Sequence, residues 1–387
     1  MKIAQVSAYD FAYPGGVNSH ISCLEQHLTQ MGHQVKILAP FTKGRAPLPP
    51  NVLPLGGSIP YPSGGSIARC SPSPFLSKSV KAVLEREHFD IIHVHEPLTP
   101  MLPLTVLYCS EAPNVGTFHA YHTKPRGYRL FRPILKQLFA RLDALTAVSR
   151  PAMEFVAQVF PGEYTIIPNG IELEHFSPQV APIPELLDGK MNILFVSRLE
   201  KRKGLDYLLG AYPQIKKQLP QVRLIVVGPG TRLRRRYEAI VEKGKLQDVY
   251  FVGYVSYDDL PRYYRSAHVF CAPATGHESF GIVLLEAMAV ARPIVASNIP
   301  GYAGVVSHGV EGLLVPPKNE MALAQALITL LRDESLRLEM GARGRAKAED
   351  FSWIHVAKKV MDVYSDVLNR KSKGARSAQP QMSSISG

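Results

Sequence analysis

Twice along its 387 residues the chain restarts one alternation: a short apolar run, a turn containing glycine, then a stretch with helical spacing. In the first half the runs at 2–8, 34–39, 89–95, 115–119 and 144–149 read as strands. In the second half those at 192–196, 223–227, 249–253, 268–273 and 293–297 do the same. Strands joined through helices pair in parallel, and a parallel sheet needs helices on both faces. The expected fold is therefore α/β, with two doubly wound, Rossmann-like sheets. A chain of this length exceeds a single core and fits two domains. The stretch 177–190, interrupted by Pro and Gly, reads as the link between them. That places a first domain at 1–187 and a second at 188–352. From 371 to 387 there is no apolar period, which predicts a disordered tail.

The second half carries the most specific chemistry, between Thr275 and Pro293. A Ser279-Phe280-Gly281 turn opens an apolar helix, with Glu278 just before it and Glu286 about one turn inside. The backbone N–H groups of Gly281, Ile282 and Val283 lack helical partners, and such a helix N-terminus seats a phosphate. Glu286 is placed to accept from vicinal hydroxyls such as those of a ribose. Glu278 is placed to reach a ligand group beyond the phosphates. Arg198 and Lys203 flank the first loop of this half, and Gly228 and Gly230 sit in the second. Their charges suit a pyrophosphate leaving group. Val252 and Gly253 offer backbone groups for a base. Near the N-terminus, Gly15 and Gly16 let backbone approach a distal phosphate, because no Cβ intrudes. The pattern is not Gly-x-Gly-x-x-Gly, which argues against a dinucleotide there. No Asp-x-Asp occurs, so no metal and no further cofactor is expected beyond the substrate itself.

Composition narrows the partners. The formal charge of +12 favours anionic ones. Cys23, Cys70, Cys109 and Cys271 form no Cys-x-x-Cys pair, which fits a reducing compartment and no zinc ribbon. No secretory h-region opens the chain, and no apolar run approaches the roughly 18 residues of a membrane span. The expected location is the cytoplasm, with any membrane contact peripheral. Two basic segments suit such contact: 77–87, with Lys78, Lys81 and Arg86, and 126–143, with Arg126, Arg129, Arg132, Lys136 and Arg141. The apolar stripe of the second is expected to pack on the domain core, with Arg126 and Arg129 open to anions. His93 and His95 lie on one strand face, a spacing open to metal but without further ligands nearby. Strand 115–119 delivers His119 at a carboxyl edge, where ligands gather in open α/β sheets.

Glu278 and Glu286, eight positions apart, resemble the Glu-x7-Glu motif of retaining family 4 glycosyltransferases. The resemblance implies the GT-B architecture of two facing Rossmann-like domains, with a final helix (353–370) returning to the first. It also implies that Glu278 meets the donor sugar and Glu286 the nucleotide ribose. Residues 197–204 are similar to the family's Gly-Arg…Lys-Gly loop, with Ser197 in place of the first Gly, and Ala291-Arg292-Pro293 departs from its usual turn. The stretches Tyr13-Pro14-Gly15-Gly16-Val17-Asn18-Ser19-His20, Gly65-Ser66-Ile67-Ala68-Arg69, His95-Glu96-Pro97, Gly116-Thr117-Phe118-His119 and Ile167-Pro168-Asn169-Gly170 most resemble phosphatidylinositol α-mannosyltransferases using GDP-mannose. That implies retention of configuration by front-face displacement. Tyr9, Pro60, Arg69 and His119 would then face the acceptor head group, with Asn18 where relatives often carry Gln. The implied partners are a nucleotide sugar, an inositol phospholipid and the anionic cytoplasmic face of the cell membrane, for a monomer or weak dimer. The helix around Lys78 is less basic here than in that family, with Ser79 and Ala82. Three alternatives stay open: a UDP-sugar enzyme with another lipid or a soluble acceptor, a nucleic-acid binder using residues 232–236, and a metal hydrolase built on His93 and His95. The arginine run lacks interleaved aromatics and reads as an exposed helix face, so no nucleic-acid partner is expected.

Overall fold

A computed structural model of the protein describes residues 1–377 apart from 64, 65, 72, 74 and 123. In the first half, β1 (Lys2–Val6), β2 (Gln34–Ala39) and β3 (Val52–Pro54) precede a separate antiparallel hairpin, β4 (Ile59–Ser63) and β5 (Ser66–Cys70). Then come β6 (Ile91–His95), β7 (Asn114–Phe118), β8 (Ala144–Ala147) and β9 (Tyr164–Ile166). The main sheet has the order β3-β2-β1-β6-β7-β8-β9, every pair parallel.

The second half repeats the plan with β10 (Met191–Val196), β11 (Val222–Val227), β12 (Val249–Gly253), β13 (Val269–Ala272), β14 (Ile294–Ser297) and β15 (Gly312–Val315). Its order is β12-β11-β10-β13-β14-β15, again all parallel. In both sheets the order reverses beside the first strand, at β1/β6 and at β10/β13. Each reversal opens a crevice at the strands' carboxyl ends.

Alternation along the strands builds two apolar layers on the second sheet. Ile193, Phe195, Leu224 and Val226 pack on one face with Leu208, Tyr212 and Leu327. Leu194, Ile225 and Val227 pack on the other with Leu284, Leu285 and Met288. Each such side chain contributes about 1.5–3 kcal/mol through burial. The layer behind β13 anchors the short helix Ile282–Ala289, so its N-terminus is held rigidly. Ile171 and Phe176, in the stretch leading to β10, also join that layer.

The last helix, Trp353–Ser377, buries Val356, Val360, Tyr364 and Val367 against Ile3, Leu24, Leu28, Ile91 and Val115 of the first half. It runs past the point where a disordered tail was expected: residues 371–377 are helical, and Lys371 pairs with Asp143 at 3.2 Å. The rest of that expected tail, 378–387, lies outside the described residues. The segment expected as one helix over 126–143 is two, Arg126–Leu130 and Arg132–Phe139. Pro133 has no N–H to donate back across Phe131, so the helix restarts there. Its stripe divides as well. Leu135, Leu138, Phe139 and Leu142 pack inward, whereas Leu130, Phe131 and Ile134 remain 74%, 55% and 64% exposed. The expected core placement therefore holds for only part of it.

Candidate active site

The loop after β10 and the loop after β13 meet at one ion network. Arg198 lies 3.2 Å from Glu200, and Glu200 also holds Arg202 at 3.0 Å. Arg202 in turn pairs with Glu278, whose carboxylate also takes the Lys203 ammonium at 2.6 Å. Three cations thus face two carboxylates, leaving one positive charge in surplus. Arg202 was not singled out by sequence; its signal, a place in the Lys201-Arg202-Lys203 run, did not separate it from a surface charge. Lys203 is thereby tied to Glu278. An ammonium has three protons, so one bond to Glu278 leaves two for an anion.

Gly281 caps the helix Ile282–Ala289 at φ 102°, and a Cβ there would lie 2.7 Å from the Tyr302 ring. Glycine is needed at this turn for both reasons. The amides of Ile282 and Val283 therefore start the helix free of capping side chains. Phe280 is a core residue, 5% exposed with the Phe351 ring edge-on to it at 6.0 Å, so of Phe280 only the backbone can serve a ligand, whereas Ser279 is partly exposed. Glu286 accepts from the Tyr264 hydroxyl at 2.6 Å, and desolvation pushes its carboxyl up to about 7. Gly228, at φ 145°, sits so close to the Ser197 carbonyl that any Cβ would collide with it. It lets the loops after β10 and β11 approach each other closely. Gly230 is exposed. Gly253 (φ 91°) ends β12 beside the guanidinium of Arg234, and its neighbour Val252 is 38% exposed.

Across the cleft, Gly15 is the extended N-cap of helix Gly16–Gln30, and neither Gly15 nor Gly16 has a neighbour where a Cβ would stand. Asn18 is buried and bonds Ser7 Oγ at 2.7 Å, the Asp10 carbonyl at 2.8 Å and the Tyr13 carbonyl at 3.1 Å. It shapes the loop after β1, to which Tyr9 belongs. The hairpin pairs Pro60 with Arg69, whose guanidinium covers the Tyr13 ring at 4.1 Å. The Arg69 carbonyl accepts from Asp10 N at 2.9 Å. Tyr9, Asn18, Pro60 and Arg69 are thus gathered around one loop. Gly65, from the matched hairpin stretch, lies outside the described residues.

His119 follows β7, only 7% exposed, with its backbone N–H bound to Glu96 Oε1 at 2.6 Å. Burial pushes the Glu96 carboxyl up to about 7 despite that bond and a second from Ala120. Val148 and Ser149, which follow β8, line one cavity with Phe280, Pro300 and Gly301 from the loops after β13 and β14. The carboxyl edges of the two sheets therefore face each other. His93 and His95 stack at 4.3 Å, and both nitrogens of each are already engaged within the protein.

Two Rossmann-like halves with opposed carboxyl edges define the GT-B architecture. A family model described as glycosyltransferase family 4 matches residues 14–175, and one described as glycosyl transferases group 1 matches 181–347. Phosphatidyl-myo-inositol mannosyltransferase of Mycobacterium leprae is 37% identical over 376 residues, covering 96% of this chain and 99% of that one. Its counterpart from Mycolicibacterium smegmatis is 36% identical over 372 residues, 95% and 94% of the two chains. Among solved structures, sucrose-phosphate synthase from Thermosynechococcus elongatus superposes with a TM-score of 0.76 at 23% identity, covering 95% of this chain and 99% of that one, a likeness of fold alone. The chain belongs to the family of the phosphatidyl-myo-inositol mannosyltransferases, within glycosyltransferase family 4.

Proposed function

We propose that the protein transfers mannose from GDP-mannose to the inositol head group of a phospholipid, with retention and without a metal. The observation that carries this reading is Glu278, held by Arg202 and Lys203 directly before the helix that begins at Ile282. The nucleotide lies along the carboxyl ends of β10 and β13, its ribose on Glu286. The Ile282 and Val283 amides, Arg198 and the two spare protons of Lys203 take the diphosphate, and Gly15-Gly16 closes on it from the other half. As the bond from sugar carbon to phosphate oxygen breaks, negative charge grows on the distal phosphate where these donors are already fixed. The acceptor oxygen bonds the same carbon on the same face, and the leaving phosphate takes its proton. Relatives of more than 30% identity carry the name of an inositol-lipid mannosyltransferase, which supports the acceptor and the sugar.

No helix among the described residues is long and apolar enough to cross a membrane. The lipid is met at a surface instead. Leu130, Phe131 and Ile134 stand exposed beside Arg126, Arg129 and Arg132, apolar and basic groups together, as an anionic cytoplasmic leaflet requires. Incubating the purified protein with labelled GDP-mannose and phosphatidylinositol vesicles tests the assignment. Label in the lipid is expected, with little from UDP-sugars. Transfer from UDP-glucose alone, or label confined to soluble inositol, would refute it.

A further inference from the structure

Buried hydrogen bonds beneath the cleft run in a single direction, and one acceptor sets that direction. The Gly116 carbonyl can only accept, so the Thr146 hydroxyl donates to it at 3.2 Å. Having spent its proton, Thr146 accepts from Thr117, which therefore accepts from His93 Nε2 at 2.5 Å. A neutral His93 then accepts at Nδ1 from the Tyr364 hydroxyl, 2.7 Å away. Tyr364 accepts from Gln5 Nε2 at 3.1 Å, which turns Gln5 Oε1 toward His95 Nε2 at 2.6 Å. His95 donates there, so its Nδ1 accepts from His119 Nε2 at 2.9 Å. Each link joins one donor to one acceptor, and the run cannot be reversed without leaving the Thr146 oxygen and the Gly116 carbonyl as two acceptors face to face. Burial keeps the rings neutral: it lowers His93 to about 3 and holds His95 and His119 well below the ordinary histidine value.

We infer that this chain of bonds fixes His119 as the Nε2–H tautomer, leaving Nδ1 as the one ring nitrogen open to a ligand and able only to accept, so that it receives a hydrogen bond from an alcohol rather than giving one to a phosphate. Gln5 and Tyr364 are positioning residues for that acceptor, and Tyr364 brings the final helix, Trp353–Ser377, into the site's chemistry. The inference rests on the glycosyl-transfer reading only for the owner of the alcohol, donor sugar or acceptor. His20, His95 and His119 also present nitrogens within 4.8 Å of one another, a spacing suited to a metal. Yet His95 spends both its nitrogens on Gln5 and His119.

The test is a histidine ¹⁵N spectrum of the full chain, with the His119 signals assigned by their loss in His119→Asn. A single neutral Nε2–H tautomer is expected from about pH 6 to 8. Tyr364→Phe and Thr146→Val should mix the tautomers and lower kcat about tenfold, with donor KM changed less than about twofold. If slow donor hydrolysis without acceptor falls equally, the alcohol belongs to the sugar; if only transfer falls, to the acceptor. An Nδ1–H tautomer, a protonated ring, ring signals that move on adding chelator, or an unchanged tautomer in both variants would overturn the inference. The wild-type spectrum decides even if a variant fails to fold, and it stands apart from the identity of the donor.

Discussion

At the scale of single residues the site is a set of charges whose partners are already arranged. Glu278 is held by two cations, so Glu278→Ala frees Arg202 and Lys203 from their anion while touching no core side chain. Transfer should fall by about 10²–10³-fold with the melting temperature little changed, if Glu278 orients the sugar as proposed. Near-normal turnover would remove it from the mechanism. Glu286 makes a separate prediction through its raised carboxyl. Below about pH 7 it is protonated and has lost acceptor capacity for the ribose, so donor KM should drop as pH rises through 7. Glu286→Gln should flatten that dependence. The same shift bears on stability: a carboxyl raised by folding favours the folded state at low pH, and that advantage is lost as pH rises from its unfolded value through 7. Glu286→Gln, which can still accept from Tyr264, should therefore stabilise the protein at pH 8 by roughly 1–3 kcal/mol and have no effect near pH 4. Urea midpoints at the two pH values measure it.

Elements show which parts of this could be read from sequence. The β10–Arg198–Lys203 loop and the Gly281 helix were legible because glycine placement and apolar runs specify them locally. The Arg202–Glu278 pair was not, since it joins residues 76 apart whose meeting depends on β10 and β13 being neighbours. Asn18 was legible as a position but not as a loop-shaping amide, which needs the fold around Asp10 and Tyr13. The break at Phe131 was visible in Pro133, but periodicity over 126–143 masked it. Gly281→Ala should cost about 2–3 kcal/mol, from left-handed strain and contact with Tyr302, and weaken nucleotide binding as well. Replacing Phe131 and Ile134 together by Ser should leave the melting temperature unchanged, because both are mostly exposed. The same change should reduce binding to anionic vesicles severalfold in a sedimentation assay. Equal vesicle binding would move the membrane surface elsewhere, to the Lys78–Lys81 helix for instance.

For the whole molecule, the two sheets are not independent beads on a string. The final helix covers the first sheet after the chain has built the second, and its Trp353 ring packs 5.0 Å from that of His20. Ile171 bonds Phe351 through the backbone at 2.8 Å, so the outgoing and returning strands of the connection are tied together. A double crossing of this kind holds the two halves together with their carboxyl edges opposed, across the cleft to which the proposed function assigns the nucleotide. Crystals of the protein soaked with GDP put the account to its most direct trial. Density for the diphosphate at the amides of Ile282 and Val283, with Arg198 and Lys203 turned to it and the ribose on Glu286, is the predicted result. A nucleotide bound elsewhere, or that helix N-terminus left bare at saturating GDP, would contradict it.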